Sequence, residues 1–443
     1  MDMRRVLRFV GIVVGVCFLQ TGVAPAADTL GEARAAYEKH DYARAVTLLD
    51  ALIGKGVGPS GALELRVRAH IKLNAPAKAV ADYNRLAEHQ GRDDHALLRE
   101  LVLGVIAPAV IDMREQMRGA AVTALGEMGG SDALPLLELA LADQSGMIRA
   151  LAIEGVARTG HAAHSKRLRK LIQDPAGMVR ERVVRALGES GDRTFIPDIE
   201  PLLKDDQPRV QAAAAAALVA LGRSDALTTV LDGLKHPKPD ERAAVLRILS
   251  HLKDARVIPP IKAALTDRDG NVRAVAAGIL AERGETGAAP AIAVLIRDQV
   301  AIARGVAATS LIKLEGAKAV PLIEPLLQDE NPFVCAEAAA VLLPYRAGSA
   351  EPVLRVSMQA RDPGVRSAAG KALAQTGNPA VLPYLLELVR DDTPRPRITA
   401  VRALGHLGSE KHLSTLKPLL SDADVAVRVT AAGAIGRLLP ESK

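Results

Sequence analysis

The sequence runs to 443 residues, of which 49% are hydrophobic, 24% charged and 2% aromatic, with a formal charge of +6 and a pI near 9.3. This is the composition of a folded protein rather than a disordered or fibrous one. The basic balance invites nucleic acid, but so few rings to stack on bases argue against it, and none is expected as a partner.

In chain order, Met1 to Arg5 supplies a positive start, Phe9 to Leu19 an apolar run, and Ala24-Pro25-Ala26-Ala27 an A-x-A end. This is the pattern of an export signal cleaved after Ala26 or Ala27, with an uncleaved anchor as the alternative. The expected signal is residues 1–26, and the expected location is the periplasm or cell envelope, with no membrane span left after cleavage. Cleavage removes Arg4, Arg5, Arg8 and Asp2, a loss of three positive charges and one negative, so +6 falls to +4. Cys17 goes with the signal. Cys335 is then alone, no internal disulfide can form, and packing must supply the stability.

Residues 27–95 carry a 34-residue period: Ala45, Leu49 and Leu52 return as Ala79, Tyr83 and Leu86, and Tyr37 and Tyr42 precede the first set. The stretch from Tyr37 to Leu49 resembles the tetratricopeptide repeat, which implies two helical hairpins joined through Gly54 to Gly61. The second copy departs from that pattern at Ala75-Pro76. An apolar helix from Leu97 to Ile111 follows, its Ile106 and Val110 one period ahead of Leu137 and Leu141. It is expected to seal the end of the array that begins there.

From residue 96 to 443 the chain repeats every 31 residues. The anchor column is Arg118, Arg149, Arg180, Gln211, Arg242, Arg273, Arg304, Cys335, Arg366, Arg397 and Arg428, which number copies 1 to 11. Seven residues after each anchor stands an aliphatic residue, and three after it Ala or Val, so each copy opens with an amphipathic helix. Expected N-caps lie four residues before the anchor, at Ser145, Asp269, Asn331, Asp362, Thr393 and Asp424. Proline opens the helix at Pro208, Pro239, Pro332, Pro363 and Pro394. Glycine closes it at Gly129, Gly160, Gly191, Gly222, Gly284, Gly377 and Gly408. A second helix begins near Pro135 and its counterparts. Each hairpin is too small for its own core, so neighbours must stack.

Six residues before the anchor runs an aspartate column, interrupted by His236 and Ala360. A pair repeated so often points to architecture rather than catalysis. The expected ladder, built from Asp143, Arg149, Asp174, Arg180, Asp267, Arg273, Asp298, Arg304, Asp391, Arg397, Asp422 and Arg428, joins each Asp to loop backbone and to an Arg of its own or the adjacent copy. The pattern D-x-x-P-x-V-R-x-x-A-x-x-A-L-G-x-x-G resembles the HEAT repeat in the short variant shared with the phycobilisome lyase family. That resemblance implies an all-α fold, a right-handed α-α superhelix that binds proteins. Gln211, Cys335, His236, Ala360 and Pro344 depart from the pattern, and the ladder is expected to break or bend there.

For chemistry the sequence offers little. No phosphate loop, zinc spacing or nucleophile elbow is present, and no catalytic, cofactor or metal site is expected. Gly58-Pro59-Ser60-Gly61 reads as a linker, His161 and His164 lack a third ligand, and His251, His406 and His412 read as solvated. Cys335 reads as a small buried substitute for an anchor Arg. Exposed cations on the second helices, namely Arg169, Lys170, Lys204, Lys235, Lys262, Arg297, Arg355, Arg390 and Lys417, are expected to line an inner surface of order 100 Å long and to favour an acidic protein partner. The expected function is a non-catalytic scaffold. The alternative, suggested by the lyase family, is chromophore handling.

Overall fold

The computed structural model describes residues 26–54, 58 and 61–440, and most of the expected export signal lies outside them. Four helices come first: α1 (Ala26–Glu38), α2 (Tyr42–Ile53), α3 (Ala62–Lys72) and α4 (Pro76–Gln90). They form two hairpins in which Ala45, Leu49, Ala79 and Tyr83 are buried. Arg66 ties the hairpins together, donating from Nε to Asp82 at 2.7 Å and from Nη1 to Asp50 at 2.7 Å. Helix α5 (His95–Val110) follows and carries the chain into the repeats.

The first helices of the eleven copies are Glu115–Met128, Gly146–Arg158, Gly177–Glu189, Pro208–Ala220, Pro239–Ser250, Gly270–Glu282, Ala301–Glu315, Pro332–Leu342, Pro363–Gln375, Pro394–Leu407 and Val425–Leu438. The five expected prolines each open one. Asp269, Asn331, Asp362 and Asp424 cap backbone N–H groups. Ser145 and Thr393 do not: their hydroxyls donate to the Glu115 and Asp391 carboxylates instead. Six of the seven closing glycines have positive φ, whereas Gly408 is extended at φ −79°. The second helices are short. In most copies one α turn tightens into a 3-10 turn, as at Ile196–Ile199 and Glu200–Lys204, where Pro201 removes the N–H that an α ladder would need.

The ladder forms, and its pairing runs between copies. Arg118, Arg149, Arg180, Arg242, Arg273, Arg304, Arg366 and Arg397 each reach the aspartate of the next copy, at 2.6–2.8 Å. Nη1 of the same arginine donates to the main-chain carbonyl six residues before it. The aspartate in turn accepts from the N–H two residues on, as Asp298 does from Val300 at 2.9 Å. The departures are paired. Gln211 faces His236, and Cys335 faces Ala360, so each missing rung has lost both its charges and leaves none buried alone. Gln211 Nε2 and Cys335 Sγ keep the carbonyl half of the contact, at 2.6 Å and 3.1 Å. Burial pushes the Cys335 thiol up, away from nucleophile chemistry.

The expected helical solenoid forms, and its two ends meet, so that the array closes on itself. The helix Val425–Leu438 packs between the first helix of copy 10 and that of copy 1, and also against α5. Helix α5 therefore completes copy 11 from the other end of the array, and Leu439 is buried at 4% exposure. Arg99 of α5 donates to the Gly436 carbonyl at 2.8 Å, Lys417 holds Asp93 at 2.7 Å, and Arg437 donates to the Glu127 carbonyl at 2.9 Å. Eleven helices spaced about 8–10 Å apart make a ring roughly 30 Å across between opposing axes.

Close approach makes this curvature feasible. An added Cβ on Gly126 would lie 3.2 Å from the Gly155 backbone, on Gly188 2.6 Å from Ala217, and on Gly433 2.8 Å from Ala124. Small residues thus crowd the first helices against one another.

Candidate functional site: the lumen of the ring

The first helices form the inner layer. His251 Nδ1 of copy 5 lies 3.2 Å from Glu189 of copy 3, and Arg402 of copy 10 lies 2.9 Å from Glu127 of copy 1. Side chains two copies apart meet in this way across a concave face. Between copies 3 and 5 they cross a helix whose residues 212–217 are all alanine. The second helices consequently sit outside, which corrects the expectation that they line the inner surface. The physical reason is circumference: the layer with alanine and glycine at its contacts can take the smaller radius.

The expected partner residues are therefore on the outer face, and several are already engaged. Arg169 pairs with Asp198, Lys235 with Asp232, Lys262 with Glu285 and Arg355 with Glu351. Lys417 is a closure contact to Asp93. Lys170, Lys204, Arg297 and Arg390 have no carboxylate partner among the described residues, so what remains is a sparse basic scatter rather than a stripe.

The lumen wall is built from positions two before the anchor and two, five and nine after it. On one side it is laced with ion pairs: Arg182 and Arg185 hold Glu154 at 2.7 Å and 3.1 Å, beside the His251–Glu189 contact. On the other side lies a groove of about 820 Å³ that touches the first helices of copies 4 to 9. Its cations are Arg209, Arg247, Lys313 and Lys371, and its acids Asp240, Glu282 and Glu337, a near balance. Apolar side chains line it as well: Ile302 is 50% exposed, and Val275 and Val306 are half-buried. Glu337 lies over Gly305, where a Cβ would collide with its carboxylate, and burial raises its pKa.

Of the three histidines read as solvated, His251 and His406 are exposed and His412 is not. His412 is buried and its Nδ1 accepts from the Ser409 N–H at 3.0 Å, a capping role. His251 and His406 face the lumen, and burial first, then neighbouring arginines, lowers both pKa values. His161 contacts the Thr159 carbonyl at 2.8 Å and His164 is exposed. Among the described residues no three His, Cys, Asp or Glu side chains gather as metal ligands, and no helix is long and apolar enough to cross a membrane.

These groups predict a two-step acid response. Hydrogen bonds from Arg273 and Arg304 hold Asp298 and Asp329 below the ordinary carboxylate range. A lowered folded pKa means stability that is complete above the unfolded value near 4 and lost as pH falls through the folded one. The lumen histidines, also lowered, give stability that begins to fade below about pH 6.5. Thermal melts from pH 8 to pH 2 should show a shallow decline below 6.5 and a steep one below 4.

Comparison with known proteins adds the following. A family model described as HEAT repeats matches residues 103–180, 135–219, 165–241, 227–312, 319–398 and 388–442. No curated protein matches the chain. Among solved structures, the complex of CpcE and CpcF of phycocyanin lyase from Nostoc sp. PCC7120 is 23% identical over 52% of this chain and 94% of that one, with a TM-score of 0.38. Human deoxyhypusine hydroxylase is 18% identical over 70% and 97%, with a TM-score of 0.29. A Kap121p mutant is 13% identical over 87% and 52%, with a TM-score of 0.35.

Proposed function

The chain belongs to the HEAT-repeat family, and from that premise we propose that it is a non-catalytic ring scaffold that takes a segment of a partner protein into its lumen. The observation that supports this reading is the groove across six consecutive first helices, with Ile302 left in water and Val275 and Val306 half-buried beside matched charges of both signs. Folding does not need exposed apolar groups there, and such groups mark binding surfaces. A partner segment with apolar side chains and charges of both signs fits this wall better than a purely acidic one. We further propose export to the cell envelope, on the pattern from Met1 to Ala27. Intact mass of the protein isolated from cells is expected to lack residues 1–26 or 1–27, and a full-length mass would sink that part.

For the lumen, the test compares the wild type with Ile302→Asp/Val306→Arg and with the outer variant Lys204→Glu/Arg390→Glu. A protein captured from envelope extract is then purified and rebound. The lumen variant should bind it roughly tenfold or more weakly, the scale of losing a buried apolar contact, and the outer variant should match the wild type. The reverse pattern, or no partner retained at all, overturns the reading.

A further inference from the structure

The eight formed rungs are an internal standard for what an anchor arginine binds. Nη1 takes the carbonyls at the head of its own copy, and the rest of the fork takes a carboxylate. Arg428 has the first half, with Nη1 donating to Asp422 at 2.5 Å and Ala423 at 3.1 Å. The second half is missing. Ring order makes Asp112 its counterpart, and Asp112 is turned to Arg114, accepting from Nε at 3.0 Å and Nη2 at 2.8 Å. The sequence gives the cause: copy 1 has Arg114 in the column where Asp269, Asn331, Asp362 and Asp424 serve as caps.

Among the described residues Nε and Nη2 of Arg428 thus have no acceptor, and Arg428 lines a cleft of about 620 Å³ at the seam, where the last copy meets the first. Lys78 and Arg114 stand on the same cleft, so three cations face one carboxylate, and that one is already paired. The remaining walls are largely apolar, with Pro76 of α4, Val105 and Pro108 of α5, and Val425 and Val429 of the closing helix.

We infer that the seam cleft binds a carboxylate carried on an apolar body, its head group taking on Arg428 the place that an aspartate takes in the other rungs. This site lies outside the lumen and stands or falls independently of it. Two sources present that group: a fatty acid, and a peptide ending in an apolar residue.

The experiment titrates the full chain, by calorimetry at low salt, with decanoate, with decanol, and with a hexapeptide ending in leucine as free acid or amide. Saturable one-to-one binding is expected for decanoate or for the free-acid peptide, at least roughly tenfold tighter than for its uncharged counterpart. Whichever carboxylate saturates identifies the source. Arg428→Gln should abolish the preference, and its folding is safe because Gln211 already fills the equivalent position in copy 4 and keeps the carbonyl contact. Asp112→Asn removes the competing carboxylate and should tighten binding several-fold. No saturation by either carboxylate, equal binding to Arg428→Gln and wild type, or weaker binding to Asp112→Asn would each overturn the inference.

Discussion

Gly433→Leu should open the ring. A Cβ at this position would stand 2.8 Å from the Ala124 Cβ and 3.0 Å from both its Cα and its carbonyl oxygen, so the obstacle is backbone that cannot rotate away. Overpacking a close-packed joint costs about 1–3 kcal/mol, and a rigid obstacle puts this case at the upper end or beyond. The closing helix has no covalent link to copy 1, so it can leave, taking with it Val427, Ile435 and the bonds from Arg99 and Arg437. Gly188→Leu is the control, because Gly188 meets Ala217 just as closely but between copies that the chain joins directly. Small-angle scattering should show a larger radius of gyration for Gly433→Leu and an unchanged one for Gly188→Leu, with a melting temperature lower by several degrees in both. A closed radius for Gly433→Leu would refute closure through this joint.

The ladder was legible in the sequence because a fixed period turns a contact into a constant offset, and Arg180 to Asp205 is the same 25 residues as Arg273 to Asp298. The same offset links Gln211 to His236 and Cys335 to Ala360, so the paired loss was written there as well. Closure was not legible, since the seam joins Gly433 to Ala124, and no local pattern encodes the sum of ten small rotations. One signal did point to it: α5 has the stripe of a second helix with no first helix before it. The side of the ring was misjudged for a related reason. Exposed cations on the second helices suggested a binding face, while the alanine of residues 212–217 and glycines such as Gly126 and Gly155 already told which layer must be the more crowded.

Restoring a lost rung gives the sharpest measure of what a rung contributes. Gln211→Arg alone sets a guanidinium opposite His236 with no acceptor, although a long side chain can swing toward solvent, so the expected cost is about 1–2 kcal/mol. His236→Asp alone places a carboxylate beside Gln211 and should cost a similar amount. Together they rebuild the geometry of Arg180 and Asp205, and the double variant should return to within about 1 kcal/mol of the wild type, because desolvation offsets most of the attraction. The converse applies to an intact rung. Arg273→Met strands Asp298, whose side chain is 6% exposed, and should cost about 2–4 kcal/mol after allowance for solvent at the rung's edge. Adding Asp298→Asn removes the stranded charge while keeping an acceptor for the Val300 N–H, and should recover much of that loss. Urea melts of these six proteins and of Asp298→Asn alone supply both cycles. Additive single effects would mean that the arginine and aspartate columns do not act as pairs, and the ladder would lose its physical meaning.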